Sequence, residues 1–344
     1  MNLNRYGWNQ EFERHFANYR EQGYSAGRVV AEYKHYYKIV TAEGEWLGEI
    51  SGKMRHDALS RTELPAVGDW VVLRQYGGHA LIHAILPRKS KFSRNVAGDV
   101  TEEQIVATNI DTVFMMNALN QDFNLRRLER YLLLTWESGA TPVVVLSKAD
   151  LCESIEDKIA EVRSVAFDIP IHTISVKQGT GLEALNAYLE EGKTVALLGS
   201  SGVGKSSLIN ALAGQELQRV NEIRAEDGRG KHTTTHRELL VLPSGAIIID
   251  TPGMRELQLQ ASDDSFRHTF QDIEELAEQC HYRDCKHQGE PGCAIAKAIA
   301  DGELEIKRYQ NYMKLQRELA RIARKEQEKE KKHARLQYRH PKKR

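Results

Sequence analysis

A chain of 344 residues with 41% hydrophobic and 28% charged side chains is too long for one compact core, and two or three domains of an ordinary soluble protein are expected. Its 48 basic and 48 acidic residues cancel, but unevenly: Arg321 to Arg344 carries eleven Lys or Arg against three Glu, which suits a tail touching a phosphate backbone or a solvated helical end. No apolar run approaches the ~20 residues of a bilayer span, and MNLNRYGWNQEFERHF lacks a signal-peptide core, so a cytoplasmic, monomeric protein without membrane association is expected.

Residues 1–28 read as a helical or loosely ordered extension. From Arg28 to about Phe92, short Val-, Tyr- and Ile-rich runs broken by Gly show no helical period except around Ala58. They predict a five-stranded oligonucleotide-binding (OB) barrel over 29–95. Tyr33, Tyr36, Tyr37, Trp46 and Trp70, set among Arg28, Lys34, Lys38, Lys53 and Arg55, offer stacking and phosphate contacts to RNA. Burial in the barrel core is the more frequent fate of any one such ring. Leu86 to Asn109 reads as a basic, polar linker.

A doubly wound α/β domain is expected over 100–262. DTVFMM (Asp111 to Met116) reads as a strand, and LRRLERYLLLTWESG as a helix stopped by Gly139. Four more apolar runs follow, each ending in a nucleotide-binding signal: PVVVL before SKAD, IHTI before Ser175, TVALL before GSSGVGKSS and AIII before DTPG. That placement fits a ligand outside the carboxyl ends of parallel strands. Helices are expected at Ile155 to Ala166, Leu182 to Glu190 and Lys205 to Ala213.

The loop Gly199, Ser200, Ser201, Gly202, Val203, Gly204, Lys205, Ser206 and Ser207 matches a phosphate loop, whose backbone N–H groups surround phosphates at a helix N-terminus. Lys205 would reach the β- and γ-phosphates, and Ser206 would offer its hydroxyl to Mg²⁺. SKAD (Ser147, Lys148, Asp150) points to guanine, because a carboxylate at Asp150 can accept from N1–H and N2–H₂, which adenine lacks, while the Lys148 stem covers the ring. Ser175 and Val176 would add a backbone N–H to the guanine carbonyl. Among Thr233 to Thr235, Thr234 is the candidate to complete the Mg²⁺ shell, with Asp250 holding that ion through water and the Gly253 N–H touching the γ-phosphate. The base-reading signals precede the phosphate loop, so the domain is circularly permuted, a change tolerated because domain termini lie close together.

After Asp264 the pattern turns helical. Cys280, Cys285, His287 and Cys293 form a Cys-x4-Cys-x-His-x5-Cys arrangement whose three thiolates and one imidazole fill a tetrahedral zinc shell, structural rather than catalytic. Three clustered cysteines cannot all pair as disulfides. His281 is a rival ligand with awkward geometry beside Cys280, and Cys152 reads as a small buried residue. A helical zinc domain with a basic tail is expected over 265–344.

The order SKAD, ISVK, GSSGVGKSS, GKHTTTH and DTPG between a β-barrel and a Cys3His loop resembles the ribosome-small-subunit-dependent GTPase A family (RsgA), circularly permuted bacterial GTPases, over roughly residues 30–320. The resemblance implies a multidomain α/β architecture: an OB-type barrel, a permuted P-loop GTPase domain and a helical zinc domain. These would contact the rRNA of the small ribosomal subunit and assist its late maturation, with one structural Zn²⁺ and with Mg²⁺ bound alongside GTP. Two departures from broader GTPase patterns carry expectations of their own. Ser147 stands where Asn is usual, which predicts a weaker tie between loops or to guanine. Met254 stands where a water-positioning Gln is familiar, and a thioether can neither orient nor deprotonate water, so His232 becomes the catalytic candidate beside Lys205 and Thr234. A non-catalytic GTP-dependent placeholder on rRNA, or an ATPase acting on free RNA, are the rival readings; Lys205, Ser206 and Asp250 oppose the first and Asp150 the second.

Overall fold

The computed structural model describes residues 1–95, 103–216, 237–250 and 261–339. Helix α1 (Gln10–Glu21) starts where the Asn9 side chain accepts from the backbone N–H groups of Glu11 and Phe12 at 2.9 and 3.1 Å. Its apolar stripe, Phe12 and Phe16, packs with Trp8 against Trp70, so the extension is held by a buried aromatic cluster.

Strands β1 (Ser25–Glu32), β2 (Tyr37–Thr41), β3 (Gly44–Ile50), β4 (Trp70–Tyr76) and β5 (His79–Ile85) close a barrel in the order β1-β2-β3-β5-β4 and back to β1. The pairing of β3 with β5 is parallel and the others are antiparallel. Alternating residues fill the interior, among them Val29, Ile39, Val71, Leu73 and Ile82. Helix α2 (Gly52–Asp57) connects β3 towards β4, its first turn capped by the Ser51 hydroxyl.

Arg28, offered as an RNA contact, does not face solvent, and Trp70 meets the core fate that is the more frequent one for such a ring. Trp70 and Arg28 are each 1% exposed. Trp70 is the anvil on which α1 packs. The Arg28 guanidinium donates to the carbonyls of Gly68, Tyr6 and Asn109 and, at 3.0 Å, to the Thr194 hydroxyl. Burial lowers its pKa to about 10, which leaves it charged at neutral pH. Tyr37 and Trp46 are partly buried against the barrel interior, whereas Tyr33 and Tyr36 stack on each other at 4.6 Å in the β1–β2 turn, where Tyr36 is exposed.

The expected linker is also corrected. It contains an antiparallel pair, β6 (Lys91–Asn95) and β7 (Glu103–Thr108), with Phe92, Ile105, Val106 and Ala107 buried. Lys91 and Arg94, with Ser93 and Asn95 beside them, made a half-buried strand read as a basic, polar connector.

The α/β sheet follows: β8 (Thr112–Ala118), helix α3 (Leu125–Ser138), β9 (Thr141–Ser147), helix α4 (Ile155–Arg163), β10 (Ile171–Thr173), β11 (Thr194–Leu198), helix α5 (Lys205–Ala213), β12 (Arg237–Val241) and β13 (Ile247–Asp250). The spatial order is β10-β9-β8-β11-β13-β12, parallel except for β12. Strands β8, β9, β11 and β13 are near-continuous apolar runs because both faces are buried, whereas β10 is half-buried. Residues 182–188, expected as α-helix, form a 3₁₀ turn. β12 pairs on its far side with β1 (Ala31↔Glu238, Glu32↔Arg237), so among the described residues barrel and α/β sheet form one continuous eleven-stranded sheet.

The chain divides into two compact units, Met1–Asn124 with Ser138–Gln258 and Leu125–Glu137 with Leu259–Arg344. The second unit holds α3, although that helix lies in sequence between β8 and β9. With it are α6 (Asp263–Thr269), α7 (Gln271–Glu278), α8 (Ala294–Ala300) and α9 (Ile306–Arg339). The reason is ionic. Glu129 on α3, 0% exposed, accepts from Arg126, from Asn311 and, at 2.8 Å, from Arg308, and Arg308 also grips Asp272 twice at 2.6 Å. Arg130 forks onto Glu318 at 2.9 and 3.0 Å. Around this polar core pack Phe266, Phe270 and Tyr312.

Candidate nucleotide and metal sites

β11 runs into Gly199, and the chain turns through Ser200 to Gly204 into the first turn of α5, where Lys205, Ser206 and Ser207 sit. Gly204 has φ 107°, a left-handed conformation open to glycine. The Lys205 ammonium donates to the carbonyls of Gly199 at 2.7 Å and Ser200 at 2.8 Å, which fixes a positive charge over the loop whose N–H groups and helix end favour an anion. The Ser200 hydroxyl donates to the carboxylate of Asp122. Asp122 lies in a turn braced by Asn117, Asn120 and Asn124 and carries no motif signal, so the sequence alone did not single it out.

The base-reading loops converge on the same place because β9, β10 and β11 are parallel strands of one sheet. Ser147, buried at the end of β9, donates its hydroxyl to the Val203 carbonyl of the phosphate loop at 2.6 Å. The tie that the shorter side chain was expected to weaken is made. Lys148 takes a left-handed conformation (φ 58°, ψ 40°), and Ala149 N–H donates to the Ile174 carbonyl at 3.1 Å. The Ser175 hydroxyl donates to Asp150 at 2.5 Å and accepts from Gln178 N–H at 3.2 Å. Gly181 closes this turn: at φ 75°, a Cβ there would stand 2.1 Å from the Thr173 carbonyl oxygen. Val176 packs against the α/β core. A carboxylate held by one neighbouring hydroxyl keeps acceptor capacity for a base edge. Asp150→Asn is accordingly expected to weaken GDP binding by about 1–3 kcal/mol and to erase preference for guanine over adenine nucleotides; unchanged affinity by titration calorimetry would remove the base-reading role.

Asp250 ends β13, its backbone in register with Glu238. His232, the threonines 233–235, Gly253 and Met254 lie outside the described residues.

In the second unit the ligand atoms of Cys280, Cys285, His287 and Cys293 all lie within 4.8 Å of one another. His287 Nδ1 is 3.5 Å from the sulfurs of both Cys280 and Cys293, and those sulfurs are 4.0 Å apart. A tetrahedron with metal–sulfur bonds near 2.3 Å has sulfur–sulfur edges of about 3.8 Å, so the four side chains fit one small ion. Among the described residues none of these cysteines is in a disulfide. Glu290 shapes the loop by accepting the N–H groups of Lys286 and Gln288 at 3.1 and 2.6 Å. His281 is not in the cluster, and Cys152 is half-buried rather than buried.

A family model described as RsgA GTPase matches residues 85–260, and one described as 50S ribosome-binding GTPase matches residues 194–332. The chain is 47% identical over 302 residues to small ribosomal subunit biogenesis GTPase RsgA 2 of Lactiplantibacillus plantarum, covering 88% of this chain and 85% of the relative. It is 46% identical over 335 residues to small ribosomal subunit biogenesis GTPase RsgA of Opitutus terrae, covering 94% and 91%. Among solved structures it is similar to YjeQ from Thermotoga maritima, with a TM-score of 0.64 and 29% identity over 86% of this chain and 99% of that one. YloQ, a circularly permuted GTPase, shares the fold with a TM-score of 0.61 at 23% identity, over 86% and 95%. Motif order, sheet order, the three joined loops and this breadth of identity agree: the chain belongs to the RsgA GTPase family, enzymes that hydrolyse GTP on a circularly permuted fold.

Proposed function

We propose that this GTPase binds the small ribosomal subunit through its rRNA and assists late maturation of that subunit, hydrolysing GTP to GDP and phosphate faster when RNA is bound. The observation that carries the reading is identity near 46% across almost the whole chain to proteins named for small-subunit biogenesis. The match to a model named for the large subunit stops short of the barrel and weighs less. In this reading 29–95 is the RNA-binding barrel, 100–262 the GTPase domain and 265–344 the zinc domain, and the protein acts as a cytoplasmic monomer.

The chain's own residues divide the work. Asp150 and Lys148 select guanine, Ser147 keeps the base loop on the phosphate loop, and Ser175 with Val176 adds a backbone donor to the base. N–H groups from Gly199 to Ser207 hold the phosphates, and Lys205 neutralises charge between the β- and γ-phosphates. Ser206 and Thr234 would ligate Mg²⁺, with Asp250 behind a water; the ion would offset charge on the leaving diphosphate. Gly253 N–H meets the γ-phosphate. His232 orients the attacking water, a role Met254 cannot fill. Cys280, Cys285, His287 and Cys293 hold one structural zinc.

Hydrolysis measured with and without purified small subunits tests the proposal. The expected result is strong stimulation, lowered by on the order of 10²-fold in His232→Ala with GTP affinity nearly unchanged. Hydrolysis indifferent to small subunits would sink it.

A further inference from the structure

We propose that Asp122 is a positioning residue for GTP hydrolysis: through the Ser200 hydroxyl it holds the phosphate loop in the shape that presents Lys205 to the phosphates. The proposal rests on the role proposed for Lys205. Asp122 belongs to none of the motif segments, yet topology brings it to the site. β8 and β11 are neighbouring parallel strands, with Leu198 beside Met115, so the turn leaving β8 and the phosphate loop leaving β11 open side by side at the carboxyl ends where such sheets bind ligands. They also touch. A Cβ on Gly199 would stand 3.1 Å from the Met116 carbonyl oxygen, so the loop begins directly against β8.

Turn and loop are tied at two points. Leu119 N–H, at the start of the turn, donates to the Ser147 carbonyl at 2.8 Å, and the Ser147 hydroxyl donates to the Val203 carbonyl at 2.6 Å. The second tie is the bond from the Ser200 hydroxyl to the Asp122 carboxylate. The turn that carries Asp122 is itself rigid. Asp122 N–H donates to Asn120 Oδ1 at 3.0 Å, and Phe123 N–H to the Asn120 carbonyl at 2.9 Å. Asn117, buried at the end of β8, exchanges two bonds with the backbone of Asn124 at 3.2 and 3.3 Å. The Lys158 ammonium of α4 lies over the Phe123 ring at 4.7 Å. An acceptor braced in this way gives the Ser200 hydroxyl one direction to point.

Ser200 is thereby held at both ends. Its hydroxyl is fixed by Asp122, and its carbonyl, with that of Gly199, accepts from the Lys205 ammonium at 2.8 and 2.7 Å. A lysine stem is flexible, so carbonyls that keep the ammonium in place remove freedom that would otherwise be lost during the reaction. Lys205 meets the charge that grows between the β- and γ-phosphates as the bond between them breaks. Its aim therefore bears on the transition state more than on GDP, whose phosphates the loop N–H groups and the helix end hold by themselves. A carboxylate next to an anion-binding loop weakens phosphate binding by its charge; what it contributes in return is the fixed direction of Ser200, and that benefit falls in the chemical step.

Single-turnover GTP hydrolysis and GDP affinity, measured on the full chain with Mg²⁺ and without ribosomal particles, test this. Ser200→Ala and Asp122→Ala are each expected to slow the chemical step about tenfold while changing the GDP dissociation constant by less than about threefold. The double variant should be no slower than either single, because both remove one shared bond. Asp122→Asn, whose amide oxygen still accepts the hydroxyl, should recover most of the loss. Ser200→Ala leaves the turn intact and decides the matter if Asp122→Ala does not fold. A parental rate in Ser200→Ala, a double variant slowed by the product of the two singles, or Asp122→Asn as slow as Asp122→Ala would overturn the proposal. Lys205→Ala separates the failures. Hydrolysis unaffected by that change removes the role of Lys205 itself, whereas hydrolysis lost there but intact in Ser200→Ala removes only the part assigned to Asp122.

Discussion

Chelating the metal from Cys280, Cys285, His287 and Cys293 is expected to unfold the second compact unit while leaving GDP affinity in the first nearly unchanged. Structural zinc contributes about 10–16 kcal/mol in small domains at neutral pH, more than helices of seven and eight residues such as α8 and α7 can supply by themselves. Trp136 on α3 stacks on His268 at 4.3 Å and reports this unit directly. Its fluorescence should shift on chelation and recover with added zinc, and Cys285→Ser should behave as the chelated protein does. Elemental analysis is expected to give one zinc per chain; clearly less after preparation without chelators would refute the assignment.

Arg308→Ala should be the most damaging single change away from that metal. Arg308 is 3% exposed and Glu129 0%, and removing one partner of such a pair strands a buried charge at a cost of about 3–5 kcal/mol. Here the stranded groups are two carboxylates, Glu129 and Asp272, with only Arg126 and Asn311 left to serve the first. Urea unfolding followed through Trp136 measures the loss. If the cause is an uncompensated charge, the double variant Glu129→Leu with Arg308→Leu should recover much of it; a double variant as unstable as the sum of the singles would assign the damage to packing instead.

The nucleotide site was legible because its chemistry is written locally. A phosphate loop needs glycines, a lysine and a hydroxyl in consecutive positions, and each signal followed a strand whose apolar run was equally visible. The permutation was legible for the same reason, since order along the chain is all it alters. Long-range pairings were not. Arg28 reads as a surface base among aromatics, and only the folded chain brings Gly68, Asn109 and Thr194 around its guanidinium. Helix α3 shows a clear amphipathic pattern, yet nothing in LRRLERYLLLTWESG says that Glu129 will meet an arginine 179 residues later. Ser147 reads as a departure from a motif, and its bond to the Val203 carbonyl joins positions 56 residues apart, a pairing that leaves no mark in the sequence.

The ladder between β1 and β12 has a bearing on solubility. An open parallel sheet ends in strands with unpaired N–H and C=O groups that can recruit a second chain, and proteins commonly shorten or cover such edges. Here the β10 edge is three residues long, and the β12 edge is met by β1 at Ala31 and Glu32. Because β1 precedes every strand of the α/β sheet in the chain, synthesis delivers the cover before the edge it protects. A version of this enzyme cut down to its GTPase domain would therefore expose an adhesive strand, and its aggregation would follow from the missing barrel rather than from any fault in the nucleotide site.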